Sequence, residues 1–206
     1  NRAQVTRRSF LETVAVGASA AAAGAAMSGC GAGPHSEAWE KFFQQQLATP
    51  AAQVGRDFLG GRGFDQAAAE RFGVGFAPTS FSALGDALKK QGFTETELAT
   101  AGLLSTNDRG RSYDRFRGRL MIPIRDQRSR VIAFGGRILG DGEPKYLNSP
   151  DTPLFDKGRT LFNLDRSSPA ARKAGRLIVV EGYMDVIALD RAGVQEAVAP
   201  LGTALT

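Results

Sequence analysis

The stretch RLIVVEGYMDVIAL, Arg176–Leu189, decides how the later part of the chain folds. Leu177–Val180 is an uninterrupted apolar run ending in a carboxylate, Glu181, then Gly182, then a second carboxylate, Asp185. A short apolar run closed by glycine reads as a buried strand, a turn and the start of a helix. A carboxylate at the C-terminal end of such a strand stands where α/β folds commonly place their ligands. Two carboxylates four residues apart call for something cationic. Asp185 also has a plainer use, since an aspartate at a helix N-terminus can cap it and suits its dipole.

The bulk composition narrows what that cation can be. The chain of 206 residues carries a net charge of +5 and a sequence pI of about 9.7, which favours polyanionic partners. One cysteine, Cys30, and one histidine, His35, exclude a self-contained zinc site and any internal disulfide. A metal here must be a hard cation held by oxygen, magnesium or manganese. Residues 1–34 differ from the rest of the chain. TRRSFL (Thr6–Leu11), the alanine-rich segment Val14–Met27 and MSGC (Met27–Cys30) resemble a twin-arginine export leader with a lipoprotein box at Cys30.

From Ser36 the pattern is that of a packed domain. Ser36–Leu47 has a helical stripe of Trp39, Phe42, Phe43 and Leu47, with Ser36 as N-cap. Val54–Leu59 reads as a helix stopped by Gly60 and Gly61, and Asp65–Pro78 as a capped helix followed by a loop or strand. Two short helices, Phe81–Gln91 and Glu95–Ala101, follow, with their aromatics expected in the core. The arginine-dense stretch DRFRGRLMIPI then calls for an extended chain, because Pro123 would break a helix. In a strand, Arg115, Arg117 and Arg119 share one face while Phe116, Leu120, Ile122 and Ile124 share the other. Asp126–Ser129 makes the turn, and Val131–Leu139 returns with a fourth arginine, Arg137. Guanidinium groups so arrayed suit phosphate, offering paired donors that never deprotonate. Lys145, Tyr146 and Asn148 follow in a polar, broken segment where a lysine can meet a phosphate and a tyrosine can stack on a base.

Taken in order, RFRGRLMIPIRD, FGGRIL, PKYLNSPDTPLFDKG, VVEGYMDVIAL and AVAPLGTALT resemble the RNA polymerase core of bacterial DNA primases of the DnaG type, from about Ser36 to Thr206. The resemblance implies an α/β (α+β) fold: a mixed N-terminal subdomain, residues 36–173, with a basic groove, followed by the first part of a Toprim α/β sheet, residues 174–206. It implies template-directed synthesis of short RNA primers on single-stranded DNA, a nucleotidyltransferase reaction. Glu181 would be the catalytic acid or base and a metal ligand, with Asp185 a second ligand for Mg2+ or Mn2+. Arg115, Arg117, Arg119, Arg137, Lys145, Tyr146 and Asn148 would hold the template, the RNA–DNA hybrid and incoming ribonucleoside triphosphates. The family's zinc-binding domain, its D-x-D metal strand and its helicase-binding domain have no counterpart in these residues. The expectation is therefore half a metal site and little polymerisation by this chain alone. A replication enzyme is expected in the cytoplasm, whereas the leader-like residues 1–34 would predict export and are set aside as foreign. Two other readings stay open: an exported lipid-anchored binding protein, and a Toprim nuclease or topoisomerase.

Overall fold

The computed structural model describes residues 34–202, so the leader-like residues and Cys30 lie outside the described residues. The first element, α1 (Pro34–Leu47), starts ahead of the expected cap: Ser36 is buried inside the helix rather than preceding it. Helix α2 (Gln53–Gly61) runs through both glycines, and α3 (Gln66–Phe72) is capped as its sequence demands, Asp65 Oδ1 accepting from Ala68 N at 2.8 Å. After β1 (Gly75–Ala77) come α4 (Ala83–Lys89) and α5 (Glu95–Thr100), the latter closed by a Thr94/Glu97 capping box. A hairpin of β2 (Leu104–Thr106) and β3 (Ser112–Asp114) leads into β4 (Arg119–Arg125), β5 (Val131–Ile138) and β6 (Tyr146–Asn148). The chain finishes with β7 (Leu161–Phe162), α6 (Leu164–Ala174), β8 (Ile178–Val179), α7 (Tyr183–Arg191) and β9 (Ala197–Pro200).

Two sheets organise these pieces into an α+β fold. The larger is antiparallel, in the order β1-β4-β5-β6. It divides two cores. Leu120, Ile122, Ile124 and Ala133 pack toward Leu59, Phe64, Met184, Val186 and Ile187. Met121 and Phe134 pack toward Trp39, Phe43, Leu84, Leu88 and Leu98. The glycine pair after Phe134 follows from this two-sided burial. A Cβ on Gly135 would stand 2.8 Å from the Tyr183 ring, and one on Gly136 would stand 2.9 Å from Phe116 and 3.0 Å from Arg119 Cδ.

The smaller sheet has the order β7-β9-β8, with β9 antiparallel to β7 and parallel to β8. Strand β7 thus joins the later part of the chain across the expected boundary at residue 173, and one core cluster contains residues from both sides. The apolar run before Glu181 is not the buried strand expected. Among the described residues strand β8 pairs with β9 alone, and Val179 is 44% exposed. No helix among the described residues is long and apolar enough to cross a membrane.

Candidate functional site

Glu181 and Gly182 form the bend between β8 and α7, and both carboxylates of the motif are exposed. Gly182, not Asp185, occupies the N-cap position. Asp185 lies in the first helical turn, its Oδ2 3.7 Å from where a Cβ on Gly182 would stand, because helical side chains lean toward the N-terminus. The dipole of the first turn favours negative charge there. Among the described residues no group of three or more His, Cys, Asp or Glu comes together as a metal cluster. The motif thus presents two solvent-exposed carboxylates, one on the bend and one on the first turn of α7.

The basic segment departs from the expected regular strand. Strand β4 begins at Arg119, and Arg115 and Arg117 lie in the bend before it, where Gly118 takes φ +60° and breaks the alternation. Arg119 is buried, its Nη1 donating to Gly136 O at 3.2 Å and Pro144 O at 2.9 Å. That arginine ties the sheet to the loop before β6. Register then separates it from Arg137. Arg119 stands opposite Ile138, whereas Arg137 stands opposite Leu120 and Tyr146, so the two arginines project from opposite faces. The expected single cationic face does not form, because both faces of β4 are needed for the two cores.

What the structure gathers instead is a set of arginines held against aromatic rings. Arg137 Cζ lies 3.9 Å from the centroid of Phe58 and 6.0 Å from that of Tyr146, and its Nη1 donates to Ile138 O at 2.8 Å. Arg117 Cζ lies 4.6 Å from Phe81 and 4.9 Å from Tyr113, while its Nη1 donates to Asp114 O. Arg115 Nη2 donates to Asn148 O at 3.2 Å, and burial pushes its guanidinium below the ordinary arginine value. The Nε atoms of Arg115 and Arg137 are sealed without a partner among the described residues, which leaves donor capacity unspent. Phe81, expected in the core, is 66% exposed. With Tyr113 it was missed as a candidate; the signal was its position, an aromatic beside the short turn Thr79–Ser80 that opens α4.

Lys145 and Tyr146 are exposed at the start of β6. Asn148 is different, because its side chain is engaged at both ends. Its Oδ1 accepts from the Tyr183 hydroxyl at 2.5 Å and its Nδ2 donates to Leu201 O at 2.8 Å. Burial pushes the Tyr183 phenol above its ordinary value, so it stays a donor across the physiological range. Tyr183, which follows the Glu181–Gly182 bend, thus joins the start of α7 to β6 through the Asn148 side chain and lies 6.2 Å from the Tyr146 ring.

Comparison with known proteins identifies the family. The family described as "DNA primase catalytic core, N-terminal domain" matches residues 42–168, and the Toprim domain family matches residues 175–206. The DNA primase of Escherichia coli (strain K12) is 50% identical over 168 residues, 80% of this chain but 28% of that protein. This chain therefore spans about 28% of the length of that curated relative. Among solved structures, a DnaG primase catalytic domain bound to single-stranded DNA is 47% identical with a TM-score of 0.75, over 84% of this chain and 54% of that one. The RNA polymerase domain of Mycobacterium tuberculosis primase DnaG is 40% identical with a TM-score of 0.79, over 84% of this chain and 56% of that one. On sequence and on fold, the chain belongs to the family of bacterial DNA primases of the DnaG type.

Proposed function

We propose that the chain is part of the catalytic core of a cytoplasmic primase, a nucleotidyltransferase that makes short RNA primers on single-stranded DNA. The observation that carries the reading is the junction just described: the turn bearing the exposed Glu181 and Asp185 is tied through the Tyr183–Asn148 bond to β6, at whose start Lys145 and Tyr146 are exposed. A relative bound to single-stranded DNA supports the choice of template.

In this reading Glu181 and Asp185 hold a hard divalent cation, Mg2+ or Mn2+. They fit it as solvent-facing oxygen donors. When bound, such a cation lowers the pKa of an attacking 3′-hydroxyl and neutralises charge on the transferred phosphate. Glu181 is the catalytic acid or base. Arg115, Arg117, Arg137 and Lys145 hold the backbones of the template and of the RNA–DNA hybrid, and the phosphates of incoming ribonucleoside triphosphates. Tyr146, Phe81 and Tyr113 offer ring faces to unpaired bases. Arg119 and Asn148 serve the same site from beneath, as supports of the strands that carry it.

Anisotropy of a labelled single-stranded oligonucleotide tests this reading directly. Four phosphate-contacting cations predict a slope of log K against log salt of about −3, since each contributes roughly −0.7 on single strands. Replacing Arg117 by Ala should reduce the steepness by about 0.7. Binding that ignores salt, or a blunt duplex bound more tightly than the single strand, would count against it.

A further inference from the structure

Tyr183 lies between the two carboxylates in sequence, yet its own side chain points the other way, into the molecule. It is 5% exposed. Its ring packs edge-on to Phe162 at 4.9 Å and lies 6.2 Å from Tyr146. The absence of a side chain at Gly135 lets it reach β5, since any Cβ there would meet the ring at 2.8 Å. Its hydroxyl then meets Asn148, and Asn148 reaches Leu201 O through Nδ2 and receives Arg115 Nη2 on its backbone carbonyl. Four segments thus meet at one residue, Asn148: the bend before β4, strand β6, the N-terminus of α7 and the chain just after β9. The two partners of the side-chain amide also set which way it faces. The Leu201 carbonyl can only accept, which turns Nδ2 toward it and Oδ1 toward the phenol, whose O–H then donates.

We propose that Tyr183 is a positioning residue, setting the EGYMD turn against the Lys145–Asn148 strand through its hydrogen bond to Asn148 and its seat on Gly135. The inference rests on the reading of Glu181 and Asp185 as the metal-holding pair and of β6 as a nucleic-acid contact. It adds that the spacing between them is fixed by one side chain that touches neither substrate nor metal. Packing alone would be served by phenylalanine. The hydroxyl is what couples the two halves.

The test uses the whole chain, labelled with 15N, as wild type and as Tyr183→Phe. In the wild type the Asn148 side-chain amide should be protected from hydrogen exchange. In Tyr183→Phe that amide should exchange at least about tenfold faster, as expected for a lost internal bond. Backbone resonances of residues 146–148 and 181–186 should shift together. Affinity for the single-stranded oligonucleotide should fall roughly threefold to tenfold with an unchanged salt slope, because no cation is removed. Gly135→Ala provides a second route. The added Cβ would stand 2.8 Å from both the Tyr183 ring and its hydroxyl, so it displaces the whole side chain and should move the same two segments. An unchanged Asn148 amide, or movement in only one segment, in whichever variant folds, overturns the proposal. Failure of the wild type to bind single strands would instead overturn the functional reading, while the amide signature would still decide the role of Tyr183.

Discussion

At the scale of single residues, the arginines of one short stretch do different jobs. Arg119 is buried and spends its donors on Gly136 O and Pro144 O, whereas Arg117 lies partly exposed over Phe81 and Tyr113. Replacing Arg119 by Met should therefore lower stability by about 2 kcal/mol, through two abandoned carbonyls, while leaving the salt slope of binding alone. Arg117→Ala should do the reverse, changing thermal stability little and the salt slope clearly. Denaturant titration and anisotropy on the same two variants separate these outcomes. Phe81→Ala should weaken single-strand binding by about 1–3 kcal/mol if a base stacks there, with melting temperature nearly unchanged.

At the scale of elements, the turn between β4 and β5 carries a pH prediction. Burial tends to raise the Asp126 carboxyl, but bonds from the Arg130 side chain and from the backbone N–H groups of Arg130 and Arg128 outweigh it. They hold the group below the ordinary aspartate value. A carboxylate depressed in the folded state contributes stability above the unfolded value, near 3.8, and loses it as pH falls through the folded value. Asp126→Asn should thus cost about 1 kcal/mol at neutral pH and progressively less as unfolding is followed down toward pH 3. A gap that stays constant with pH would contradict the assignment. This hairpin is also where sequence reading served best. Pro123, the apolar alternation and the polar turn predict two antiparallel strands, and β4 and β5 are those strands. The start of β4 was not legible, because alternation from Arg115 ran on through a glycine whose left-handed backbone ends it. Nor was the face of Arg137 legible, since it depends on cross-strand register, which no local pattern encodes. The run before Glu181 was apolar enough for a buried strand, yet burial is decided by neighbours and β8 has one among the described residues. Glu181 and Asp185 stand out by spacing and are exposed on the bend and first turn of α7, their role being a proposal, while the Asn148 side chain is bonded at both ends.

At the scale of the molecule, the two parts named from sequence share one core. Strand β7 pairs with β9, and Tyr183, Met184, Val186 and Ile187 pack with Leu59, Phe64, Leu120 and Ile122. Burying each such side chain is worth roughly 1.5–3 kcal/mol. Losing four approaches the whole stability of a domain, about 5–15 kcal/mol. A fragment of residues 34–173 should therefore show no cooperative thermal transition, whereas the whole chain should melt as one unit by calorimetry. A well-folded fragment would restore the idea of two independent parts. The central claim, that this architecture serves primer synthesis through the EGYMD turn, is tested most directly by activity. Residues 36–202 would replace the matching segment of the Escherichia coli primase, and RNA primer synthesis would be measured with and without Glu181→Gln. The account predicts a fall of at least about 1000-fold in synthesis, as for loss of a group acting on the transition state. Affinity for single-stranded DNA should stay within about twofold, because no phosphate contact is removed. Primer synthesis undiminished by Glu181→Gln would contradict it.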